Sequence, residues 1–151
     1  MRFVVPFLLF PFFVFSQSKY THADSLRGKI TKEREWWNVL HYELHASFNE
    51  KDSSVFGFNK TIYKVLSSLQ VMHIDLREPM ILDSAIQNNK KCSWKKDGNA
   101  YFINLVTEQK VNDQNQITFY FHGKPHVAKI PPWDGGVIWK KDKNKYPWIS
   151  I

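Results

Sequence analysis

Leu40-His41-Tyr42-Glu43-Leu44-His45-Ala46-Ser47 alternates apolar and polar side chains without a break. Leu40, Tyr42, Leu44 and Ala46 fall on one side, and His41, Glu43, His45 and Ser47 on the other. A period of two is that of a half-buried strand, because successive side chains of an extended chain point to opposite faces. The polar stretch Asn49-Glu50-Lys51-Asp52-Ser53-Ser54 then reads as a turn, and residues 55–65, rich in β-branched and aromatic types, as a second strand. Its buried face stays open, since Phe56, Phe58 and Ile62 oppose Val55, Tyr63 and Val65. Further strands are expected at residues 71–76 and 80–86, separated by Arg77-Glu78-Pro79. Asn88-Asn89 offers a tight hairpin turn before Cys92-Ser93-Trp94, and Asp97-Gly98 a stronger one before a strand at residues 101–106. The loop Asn112-Asp113-Gln114-Asn115 precedes a last strand in which Ile117, Phe119 and Phe121 align. Short strands with regularly spaced turns and no long helical period imply an all-β domain, an antiparallel sandwich or a saddle-shaped sheet.

Upstream, residues 17–38 are a polar lead-in, with Thr31-Lys32-Glu33-Arg34-Glu35 as one helical turn capped by Thr31. Before it, Met1-Arg2 is followed by an almost wholly apolar run to Phe15 and then Ser16, the pattern of a secretory signal peptide over residues 1–16. The run is shorter than the roughly 20 apolar residues a membrane helix needs, so no stable membrane span is expected. Export to the periplasm or outside the cell follows, leaving a β-sandwich domain over residues 39–151. The net charge of +7 would suit a nucleic-acid partner, but an exported chain rarely meets one. The basic runs Lys90-Lys91 with Lys95-Lys96, and Lys140-Lys141 with Lys143 and Lys145, sit beside turn residues and read as solvated loops. Cys92 is the only cysteine, so no internal disulfide forms; it reads as a buried structural thiol.

Downstream, Pro131-Pro132-Trp133-Asp134-Gly135-Gly136 is rigid and then permissive, and Trp139 and Trp148 follow closely. So dense an aromatic group marks an interface, and Trp133, Trp139 and Trp148 are the candidate docking residues. Tyr146-Pro147-Trp148-Ile149-Ser150-Ile151 reads as an apolar strand leading into a further domain.

Reaction chemistry is harder to find. His41 and His45 bracket Glu43, but the zincin motif needs a helix to bring such a pair together. On a strand they stand about 13 Å apart, whereas zinc ligands lie within ~2 Å of the ion. His122-Gly123-Lys124-Pro125-His126 repeats the spacing with helix-breaking residues between. No phosphate loop, nucleophile elbow or paired carboxylate stands out, so neither catalytic nor metal-binding residues are assigned and no cofactor is expected in this chain. Asn59-Lys60-Thr61 fits the glycosylation sequon but falls inside an expected strand.

Several stretches together carry a resemblance. Tyr20-Thr21-His22-Ala23-Asp24-Ser25-Leu26-Arg27-Gly28, Trp36-Trp37-Asn38-Val39-Leu40-His41-Tyr42-Glu43-Leu44 and Ile74-Asp75-Leu76-Arg77-Glu78-Pro79-Met80 are similar to the start of secreted bacterial members of the aminopeptidase N family of zinc metallopeptidases. Phe119-Tyr120-Phe121-His122-Gly123-Lys124-Pro125 and Pro132-Trp133-Asp134-Gly135-Gly136 continue it. The resemblance implies an N-terminal, mostly antiparallel β domain beside a thermolysin-like catalytic domain. In that family the Gly-x-Met-Glu-Asn-type loop, the His-Glu-x-x-His helix and the zinc belong to the catalytic domain, and this sequence contains none of those motifs.

Two functions are therefore expected of such a chain. The first is a non-catalytic scaffold domain of a secreted zinc aminopeptidase, inactive alone, meeting peptide substrates only through the missing domain. The second is a stand-alone secreted β-sandwich that binds a peptide, glycan or partner protein through its Trp-rich end.

Overall fold

The computed structural model describes residues 20–131 and 133–151, so the expected signal peptide lies outside the described residues. Two helices open the chain, α1 (His22–Gly28) and α2 (Lys32–Glu35). Ten strands follow: β1 (Trp37–Asn49), β2 (Ser54–Val65), β3 (Val71–Asp75), β4 (Ile81–Gln87), β5 (Lys90–Lys91), β6 (Ser93–Asp97), β7 (Ala100–Asn104), β8 (Gln114–Gly123), β9 (Ile138–Lys141) and β10 (Pro147–Ser150). The larger sheet has the order β1-β2-β8-β4-β5, the smaller β3-β7-β6, and β9 and β10 form a separate ribbon. Every strand pair within them is antiparallel. The chain is the expected all-β antiparallel domain.

Local chemistry accounts for the turns. Asn88 and Asn89 both take positive φ between β4 and β5, the backbone of the tight hairpin their sequence predicts. Asp97 pairs with Ala100, leaving Gly98-Asn99 as a two-residue turn with Gly98 at φ 57°. The helix α1 was not expected; a capping box builds it, Thr21 accepting from the Asp24 amide while the Asp24 carboxylate accepts from the Thr21 amide. In α2, Thr31 precedes the first turn as expected, but its side chain makes no capping hydrogen bond.

The core lies between the two sheets. Thr61, Tyr63 and Val65 turn inward from β2, so Phe56 is the residue left in solvent. Trp36, Tyr63, Met72, Ile103 and Ile117 are its largest fully buried apolar side chains. Trp36 begins this core rather than ending the lead-in: its ring meets Tyr63 edge-on at 6.0 Å, and its Nε1 donates to the Val71 carbonyl at 2.8 Å. Each such side chain contributes on the order of 1.5–3 kcal/mol on burial. A polar bolt closes one end. The Tyr63 hydroxyl donates to Gln109 Oε1 at 2.9 Å and accepts from Gln87 Nε2 at 2.9 Å. Gln87 Oε1 in turn accepts the Val106 and Thr107 amides, both at 3.1 Å. Cys92 is buried in this core as expected, and burial pushes its thiol pKa up, which keeps it inert.

The lead-in helices are clasped to β3 by Arg34, at the rim of a cleft that Arg34, His73 and Asp75 line. Its Nη2 donates to the Leu26 carbonyl at 2.9 Å and to Asp75, and its Nε donates to His73 Nδ1 at 3.1 Å. His73 is only 2% exposed. Burial first, and the Arg34 guanidinium second, hold its pKa below the ordinary value of 6.5 against the opposing pull of Asp75.

Candidate docking face and cleft

The alternation of β1 predicts one buried apolar face, and here the structure differs. Leu40, Tyr42 and Leu44 are 49%, 55% and 64% exposed. The register explains it: Tyr42 pairs with Thr61 and Leu44 with Asn59, so both point to the inner side of the larger sheet. The smaller sheet has three strands against five, and Tyr42 and Leu44 remain uncovered on this side. A cleft of about 480 Å³ opens there, bounded by Trp37, Tyr42 and Leu44 of β1, by Leu76, and by Phe119 and Phe121 of β8. Asn59 and Thr61 line the same cleft, and their Oδ1 and Oγ1 are buried with no hydrogen-bond partner among the described residues. The Asn59 sequon does lie inside a strand.

The Trp-rich segment folds as the β9–β10 ribbon and the loop before it. A parallel bridge from Val127 to Val137 attaches the ribbon to the domain. Gly136 makes that attachment possible: its φ is 116°, and a Cβ there would sit 2.5 Å from the His126 carbonyl oxygen. Trp139 pairs with Ile149, and Trp148 with Lys140, so the two indoles leave the ribbon on opposite faces. Trp139 turns toward the end of β1, its ring 6.1 Å from Phe48, and its Nε1 is buried without a partner among the described residues. Trp148 is 50% exposed and Trp133 84% exposed. Of the three candidate docking residues, two present free indole surface and the third anchors the ribbon.

The histidine motifs take the positions their strand reading predicts. His41 and His45 both lie on β1, and His45 Nε2 lies 3.0 Å from Glu43 Oε1. His122 meets Asp83 on the outer face of the larger sheet at 2.6 Å, while His126 lies in the loop beyond β8. Among the described residues no three His, Cys, Asp or Glu side chains converge on one metal position. The described residues do not fit a zinc site. Among them, too, no helix is long and apolar enough to cross a membrane. The cleft itself was missed in the sequence. Its signal was the apolar face of β1, legible as apolar but not as uncovered.

No protein-family model and no curated protein matches this sequence. Solved structures do match. An M1 zinc metallopeptidase from Deinococcus radiodurans superposes with a TM-score of 0.56 at 16% identity, over 74% of this chain and 27% of its own. A two-domain M1 zinc metallopeptidase bound to L-arginine gives 0.56 at 14% identity, over 76% and 28%. Leukotriene A4 hydrolase from Saccharomyces cerevisiae gives 0.56 at 16% identity, over 86% of this chain and 23% of its own. The likeness is one of fold, and the chain spans about a quarter of the length of the structures it matches. What these comparisons establish is that the chain has the fold of a β domain found within M1 zinc metallopeptidases.

Proposed function

We propose that this chain is the non-catalytic N-terminal scaffold domain of an exported zinc metallo-aminopeptidase, an enzyme that removes N-terminal residues from peptides. One observation carries the reading: a two-domain M1 enzyme shares this fold over 76% of this chain but only 28% of its own length. The remainder of such an enzyme holds the chemistry. Zinc, bound there, would polarise the scissile carbonyl and activate water. The part of this chain is to orient that domain and to help wall the pocket that receives a peptide's free N-terminus. Trp133 and Trp148 form the contact, with Trp139 fixing the ribbon that carries Trp148. Leaving such indoles in water forfeits the stabilisation that burial of a large apolar side chain brings.

The test compares this chain with the same chain fused to a thermolysin-like zinc domain of an M1 enzyme. Acrylamide quenching of tryptophan and protease cleavage within residues 133–150 should both fall on fusion. Unchanged quenching and unchanged cleavage would overturn the reading.

A further inference from the structure

The strand β1 stands at one edge of the larger sheet, and among the described residues it has a neighbour on one side only. Its 13 residues contain no Lys, Arg or Pro, the residues that usually blunt an edge. Its bulge lies between Val39 and His41, so residues 41–47 form an uninterrupted stretch with unpaired backbone groups along the free side. The same stretch carries the exposed Tyr42 and Leu44. Such an edge is a template for another strand, and its sequence indicates which one.

We propose that two copies of this chain pair through β1, antiparallel, about a two-fold axis at Leu44. Residues opposite each other across such an axis have numbers that sum to a constant. With Leu44 facing Leu44 of the partner copy, Glu43 faces His45 and His45 faces Glu43. Tyr42 then faces Ala46, and His41 faces Ser47. Glu43 of each copy meets His45 of the other, so this polar pair occurs twice, and a large aromatic meets a small residue on the apolar face. Centring the axis one residue earlier would instead oppose two Glu43 carboxylates, which is unfavourable. Centring it on Tyr42 would carry the pairing across the bulge. The pairing satisfies the free edge, covers part of the apolar face of β1 and joins the two larger sheets into one. A seven-residue ladder is a small interface, so the dimer depends on concentration. This inference uses β1 and not Trp133 or Trp148, so it stands or falls separately from the docking proposed above.

The experiment is cysteine cross-linking of the full chain under mild oxidation, read on non-reducing gels beside sedimentation velocity. Cys92 is buried and serves as an internal blank. Opposed residues place their Cβ atoms about 4.5–5.5 Å apart, within reach of a disulfide with slight adjustment. Leu44→Cys alone should cross-link to a covalent dimer. Tyr42→Cys and Ala46→Cys should each fail alone, because like residues then stand about 13 Å apart, and should cross-link when mixed. Leu44→Lys places two ammonium groups at the axis and should sediment as a monomer at concentrations where the parent chain dimerises. A parent chain that stays monomeric at high concentration would overturn the proposal. So would cross-linking by Tyr42→Cys alone, or equal cross-linking at all three positions.

Discussion

Replacing Gln87 by Leu keeps nearly the same volume in the core but deletes three hydrogen bonds at once. Gln87 Oε1 accepts the Val106 and Thr107 amides, and Gln87 Nε2 donates to the Tyr63 hydroxyl. A buried donor left without a partner costs about 1–3 kcal/mol. Val106 is exposed and Thr107 half-buried, so water can reach both amides after some local opening, which favours the lower part of that range. The Tyr63 hydroxyl keeps its bond to Gln109 and loses only an incoming donor. Leucine recovers some of the loss as an apolar side chain. The net expectation is a loss of roughly 2–4 kcal/mol. Urea unfolding followed by tryptophan fluorescence reads it, since Trp36 and Trp37 both meet the Tyr63 ring. Tyr63→Phe should cost less, about 1–2 kcal/mol, and the double variant should show a coupling of at least ~0.5 kcal/mol. A Gln87→Leu cost below ~0.5 kcal/mol, or strict additivity with Tyr63→Phe, would refute the view that this network bolts the end of the core.

Three further outcomes are expected. His73 has a folded-state pKa below its ordinary 6.5, so the unfolded chain takes up the proton first as pH falls. The contribution of neutral His73 is fully present above about 6.5 and is lost as pH drops through the folded value, so His73→Gln should lessen the fall of the urea midpoint between about pH 7 and pH 5 relative to the parent. Gly136→Ala forces a side chain against the His126 carbonyl at positive φ, a strain of about 1–3 kcal/mol; limited proteolysis should then cut within residues 137–150 sooner, with the rest of the domain intact. Cys92 should resist thiol-reactive dyes until denaturant opens the core, and labelling at the rate of a free thiol in native buffer would contradict its burial.

What the sequence disclosed was local. The run from Leu40 to Ser47 announced a strand, Asn88-Asn89 and Asp97-Gly98 announced hairpins, and each stands where its turn chemistry places it. What it withheld was long-range. The insertion of β8 between β2 and β4 pairs residues far apart in the chain, and no local periodicity encodes it. Which side of β2 is buried, a question Val55 and Phe56 left open, is decided by the smaller sheet, whose Met72, Tyr101 and Ile103 share the core with Tyr63 and Val65. The exposed face of β1 was hidden for a related reason, because apolar alternation reports a face suited to burial without reporting whether three opposing strands reach it. Trp36 looked like the end of a polar lead-in until its indole was seen against Tyr63. The capping box that starts α1 was readable in Thr21 and Asp24, but a seven-residue helix leaves too short a pattern to register by periodicity. As for the site, Trp133, Trp139 and Trp148 could be named from composition, whereas their division into two free indoles and one anchor needed the ribbon register.

The proposed scaffold role requires this fold to serve as one part of a larger zinc enzyme. The measurement to make is the size and activity of the native product, captured from its own host with an antibody raised against residues 17–151. A product several times larger than this chain, with aminopeptidase activity that a chelator abolishes and zinc restores, is the predicted result. A product of the size of residues 17–151, with no such activity, would contradict it.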